Sequence, residues 1–91
     1  MTADQLAKLL ELAEAPKGED GWSKLGQYTL TLHTAFNGAS LSFSRIEEIK
    51  LAAPLVYAKN SRSETHVARL EDIFAGTIEA SREKGRKAGF V

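Results

Sequence analysis

In the first fifteen positions the apolar residues Leu6, Leu9, Leu10 and Ala13 fall at i, i+3, i+4 and i+7, the spacing of a single helical face. Thr2 and Gln5 stand three apart ahead of that run. This is the capping-box arrangement, in which each side chain satisfies a free backbone N–H near the other. The pattern predicts a helix from Thr2 to Ala15, with Leu12 off the main face. Pro16 and Gly18 stop it, and residues 16–21, Pro-Lys-Gly-Glu-Asp-Gly, read as an exposed loop.

Two periods compete in the next stretch. Trp22, Leu25, Tyr28, Leu32 and Phe36 fit one helical stripe, yet Tyr28, Leu30, Leu32, Thr34 and Phe36 alternate strictly, and the threonines favour strand. Asn37-Gly38 follows, the preferred pair for a two-residue type I′ turn. Pairing Phe36 with Ala39 across that turn sets Thr34 opposite Leu41 and Leu32 opposite Phe43. Thr31, His33, Ser42 and Ser44 then share the other side. One choice of turn yields an apolar and a polar face, as a half-buried hairpin requires, so a hairpin is predicted.

Ser44-Arg45-Ile46-Glu47 repeats the capping-box spacing, and Ile46, Ile49 and Ala53 keep a helical interval up to Pro54. A short helix from Arg45 to about Ala53 is predicted, its rival being a strand continuing through Ile49 and Leu51. Leu55, Val56 and Tyr57 suit a third strand. Lys59-Asn60-Ser61 turns the chain. From Ser61-Arg62-Ser63-Glu64 onward, Val67, Leu70, Phe74, Thr77 and Ile78 predict a long capped helix ended by Gly85. Gly76 inside that helix costs about 1 kcal/mol relative to Ala, which predicts a close approach at that position.

These elements define a small single α+β domain over residues 1–91, with residues 82–91 as a flexible basic tail. An N-terminal helix, an antiparallel hairpin with one further strand, and a long C-terminal helix make up the fold, both helices on one sheet face. Val67, Leu70, Phe74 and Ile78 are expected to cover Leu30, Leu32, Leu41 and Phe43. The alternative is an all-α bundle in which 22–36 and 45–53 are helical. Ninety-one residues leave room for one core, and a hydrophobic share of 43% with 26% charged residues is that of a folded globule. There is no cysteine, hence no disulfide and no thiolate chemistry. The first residues lack a basic start and a long apolar run, and no segment approaches a membrane span. A cytoplasmic location is expected.

Charge changes the picture only in its distribution. Net charge is zero, but residues 1–48 carry −3 and residues 49–91 carry +3. Opposed halves suit self-association or a charged protein partner.

Chemistry-bearing patterns are sparse. His33 and His66 have no His-x3-His or His-Glu-x-x-His spacing, and with no cysteine a metal would need carboxylates to complete its ligands. Glu47-Glu48 and Glu71-Asp72 are sequence neighbours on expected helices and point apart, while Glu79 and Glu83 sit among Arg82 and Lys84 on a solvated face. Gly21 to Tyr28 has the two-glycine spacing of a phosphate loop without its Lys and Ser/Thr. No catalytic residue, metal site or cofactor is expected. Arg82, Lys84, Arg86 and Lys87 cluster near the end of the predicted helix, followed by an apolar Phe90-Val91. The expected function is therefore a non-enzymatic, homodimeric protein-interaction module, a small regulator or inhibitor that binds a protein partner through Arg82, Lys84, Arg86, Lys87, Phe90 and Val91. The alternative is a small nucleic-acid-binding regulator using Arg62, Arg69, Arg82, Lys84, Arg86 and Lys87.

Overall fold

A computed structural model describes residues 1–80. Helix α1 (Ala3–Leu12) is followed by six strands: β1 (Trp22–Lys24), β2 (Tyr28–Phe36), β3 (Ala39–Ala52), β4 (Leu55–Asn60), β5 (Thr65–Arg69) and β6 (Ile73–Ala80). A single 3-10 turn, Leu70–Asp72, joins the last two. The class is mainly β, which corrects the α+β expectation. Among the described residues there is one helix of more than one turn, and no long C-terminal helix.

All pairings are antiparallel, in the order β5-β4-β3-β2-β6, with β1 on the other side of β3's second half. The fourteen-residue β3 makes this possible. It pairs with β2 through Ala39–Ile46 and with β4 through Ile46–Ala52, so Ile46 has Leu30 on one side and Asn60 on the other. Between the two stretches β3 carries two extra residues. Leu30 and Leu32 are matched by Ile46 and Phe43, one residue too many, and Arg45 in that gap has φ +57°. Asn60 and Lys59 are matched by Ile46 and Glu48, which leaves Glu47 over. Bulges bend a strand and increase its twist. Here they bend the antiparallel sheet between its end strands, β5 and β6, which the turn Leu70–Asp72 joins.

The core lies inside this curl: Leu30, Leu32, Ile46, Ile49, Val56, Ala58 and Ile73 from the strands, with Leu6, Ala13, Ala15 and Leu25 closing it. The predicted cap of α1 is present: Thr2 Oγ1 accepts from Gln5 N at 3.1 Å, and Gln5 Oε1 accepts from Thr2 N at 2.9 Å. The hairpin has the expected register, Phe36 with Ala39, Thr34 with Leu41, Leu32 with Phe43. Asn37 and Gly38 both have positive φ, as a type I′ turn requires.

The predicted helix over Arg45–Ala53 is a strand. Ile46 and Ile49 are both buried with two residues between them because Glu47 is the leftover bulge residue. The spacing of three belongs to an interrupted strand. The predicted helix from Ser61 is two strands. Its expected cap is a β-hairpin turn, in which Asn60 Oδ1 accepts from Arg62 N at 2.9 Å and from Glu64 N at 3.0 Å, and Ser63 takes φ +65°. Asn side chains offer the backbone this alternative to a helix start. Gly76 does meet a close approach: a Cβ built there would lie 2.5 Å from Leu9 Cδ1. It lies on β6 rather than in a helix, and it lets α1 rest on that strand.

Candidate functional site

Alternation along each strand decides which side chains leave the core. On β3 and β4, Ile49, Val56 and Ala58 point inward, so Glu48, Lys50, Tyr57 and Lys59 face out. The histidines lie on opposite faces. His33 faces out, with Nδ1 2.9 Å from Ser42 Oγ and Nε2 3.2 Å from Thr77 Oγ1. His66 faces in and stacks on Phe43 at 4.8 Å, with Asn60 Nδ2 at 3.3 Å and Glu64 Oε1 at 3.8 Å from Nε2. Among the described residues no three His, Asp or Glu side chains come together as metal ligands would.

Of the six residues expected at a nucleic-acid surface, two fall in the described part, and they do not meet. Arg62 is exposed in the β4–β5 turn, while Arg69 ends β5. Arg69 is also engaged: Nε and Nη2 reach the two oxygens of Asp72 at 2.7 and 3.2 Å. That charge-assisted bond holds its guanidinium pKa above the ordinary value. Arg82, Lys84, Arg86, Lys87, Phe90 and Val91 lie outside the described residues.

The surface has three features of its own. The first is apolar. Phe36, Leu41, Val67 and Phe74 are all more than half exposed. They do not share one face: Phe36 and Leu41 lie on the side of the hairpin that carries Leu32 and Phe43, Phe74 stands beside the outward His33 with ring centroids 6.1 Å apart, and Val67 pairs with the outward Tyr57. Leu41 sits opposite Thr34, Ile73 next to Phe74 pairs with the same Thr34, and the Arg69 guanidinium lies 4.4 Å from the Phe36 ring centroid, two residues from Val67. A long helix over the hairpin would put Leu41, Val67 and Phe74 in the core, and their exposure corrects that expectation. Phe43, Leu70 and Ile78 are partly buried against it as expected. The strand alternation Thr65-x-Val67-x-Arg69 was the signal that could have placed Val67 outside.

The second is cationic and aromatic. Trp22, Lys50, Tyr57 and Val67 form one row across β1, β3, β4 and β5, and Lys24, Glu48, Lys59 and Thr65 form the next. Lys59 Nζ stands 5.2 Å from the Trp22 ring centroid. The third is a groove of about 580 Å³ along α1, lined by Ala3, Ala7, Leu10 and Leu51 with Glu11 and Glu14 among its lining residues.

No family model, curated protein or solved structure matches this chain. Among the described residues no helix is long and apolar enough to cross a membrane.

Proposed function

We propose that the protein is a non-enzymatic interaction module that binds a protein partner, in the first place a second copy of itself. Exposed apolar side chains support this reading: Phe36 and Leu41 at the hairpin end, with Phe74 and Val67, are four of the five large apolar side chains left in water among the described residues. Aromatic residues and arginine dominate the energetics of protein interfaces, and here a phenylalanine lies under an arginine already oriented by a carboxylate. The neighbouring edge strand β6 adds an invitation to pair. From Ile73 to Ile78 it carries no charged residue of the kind that blunts an edge.

Light scattering coupled to size exclusion across a concentration series tests this. The natural chain is expected to shift toward a dimer as concentration rises, and Phe36→Ser with Leu41→Ser to stay monomeric at every concentration. A natural chain that remains monomeric throughout, and captures no partner through this surface, removes the reading. Of the residues of the nucleic-acid alternative, Arg62, Arg69, Arg82, Lys84, Arg86 and Lys87, only Arg62 and Arg69 are among the described ones, and they stand at opposite ends of β5.

A further inference from the structure

We propose that the outer face of the β1–β3–β4–β5 half binds single-stranded nucleic acid, with Trp22 and Tyr57 as stacking platforms and Lys24, Lys50 and Lys59 as phosphate contacts. This site is separate from the hairpin end and does not rest on the reading given for it.

The strand register carries the argument. Trp22, Lys50 and Tyr57 are directly opposed on adjacent strands, as are Lys24, Glu48 and Lys59. Neighbouring strands are about 4.8 Å apart, so the backbones of Trp22 and Tyr57 stand about 10 Å apart with Lys50 on the strand between them, and Lys24 and Lys59 flank them at a similar interval. Aromatic faces alternating with cations at such spacing are what an unpaired strand needs, since bases stack and phosphates follow alongside. Lys59 already holds its ammonium over the Trp22 ring. A base arriving at Trp22 displaces that ammonium toward the phosphate it carries.

Charge favours the same ligand. The chain as a whole is neutral, yet these two rows hold three lysines against Glu48 alone. Glu19 and Asp20 precede Trp22, and Asp20 Oδ1 accepts from Trp22 N at 3.0 Å, so the positive stretch is bounded on that side. A protein partner suits the face less well, because lysine is depleted from the cores of protein interfaces. With its lysines on phosphates, the face reads bases by stacking, and every base offers a π-face, so recognition is tolerant of sequence.

The chain has a single tryptophan, and it forms one end of the site. Its fluorescence therefore reports stacking directly. Full-length protein is titrated with short oligo-uridylate and oligo-thymidylate. Quenching of Trp22 is expected, with affinity falling about twentyfold between roughly 50 and 200 mM salt if three phosphates are contacted. Lys24→Gln with Lys50→Gln and Lys59→Gln should abolish binding while leaving the circular dichroism and melting temperature unchanged. Tyr57→Ala should weaken binding about fivefold or more. Absence of quenching at the lower salt overturns the proposal. So does equal binding of polyphosphate, which has charge but no bases. Binding that survives the triple lysine variant but is lost with Arg82→Gln, Lys84→Gln, Arg86→Gln and Lys87→Gln overturns it as well.

Discussion

The two halves of β3 belong to one continuous strand and have opposite fates. From Ala39 to Arg45 every position but Phe43 is exposed, although this half is paired to β2 residue by residue. From Ile46 to Leu51 the strand carries Ile46 and Ile49, each at most 1% exposed, with β4 on one side and β1 on the other. The first half has a partner strand on one side only, the second on both. The other difference is whether anything covers the inner face. The second half lies beneath the curl of the sheet and the N-terminal segment. The first runs past them into water. Ladder bonds replace bonds to water and contribute little net stability, whereas apolar area removed from water contributes about 25 cal/mol per Å². The half that stabilises the fold is thus distinct from the half free to present Leu41 and, two positions beyond its partner Thr34 on β2, Phe36.

Truncation at matched positions is the strongest way to break this comparison. Ile46→Ala should lose about 2–4 kcal/mol of unfolding free energy, because the site is closed on all sides and cannot collapse. Leu41→Ala in the other half should change it by less than about 0.5 kcal/mol. Urea denaturation measures both, and comparable losses would show that the hairpin end is packed after all. The cover over the core can be probed next. Gly76→Ala should cost about 1–2 kcal/mol, since its new Cβ meets Leu9 Cδ1. That cost should shrink when Leu9→Ala is already present, and a double-mutant cycle reads the coupling. Thr2→Ala removes the N-cap acceptor of α1 and should cost about 1 kcal/mol in the same assay. The smallest effect is expected at the bend between the halves. Arg45 has φ +57°, so Arg45→Gly relieves a strained backbone while adding chain entropy to the unfolded state, and stability should change by less than about 0.5 kcal/mol.

Both halves of β3 also mark where sequence reading works and where it stops. The turn Asn37-Gly38 and the alternation around it fixed the first half to the residue, because an unbroken strand keeps a period of two. The second half looked helical because Glu47 adds one residue to the strand and moves Ile49 to the position a helix would choose. The same imitation recurs after Asn60. Leu70–Asp72 forms a 3-10 turn, and Phe74 is passed over where His33 and Thr34 pair with Ala75 and Ile73. Leu70, Phe74, Thr77 and Ile78 thus acquire a 3.6-like spacing from two strands and an interruption. A bulge is a property of the pairing of two strands, and no single segment announces it. The surfaces followed the elements. A helical spacing that sets Val67, Leu41 and Phe74 on facing apolar stripes hides their exposure. The row of Trp22, Lys50 and Tyr57 exists only once three strands are aligned.

Gly76 also bears on the order in which the chain assembles. Helix α1 carries its own cap and can begin to form from local contacts, on the sub-microsecond to microsecond scale of isolated helices. Its resting place on β6, where Leu9 meets the bare backbone of Gly76, lies 67 residues away along the chain and exists only after β6 has paired with β2. Closing so long a loop is slow. A fluorophore pair placed to follow the approach of α1 to β6 should therefore report the last folding step, well after circular dichroism has registered the helix itself.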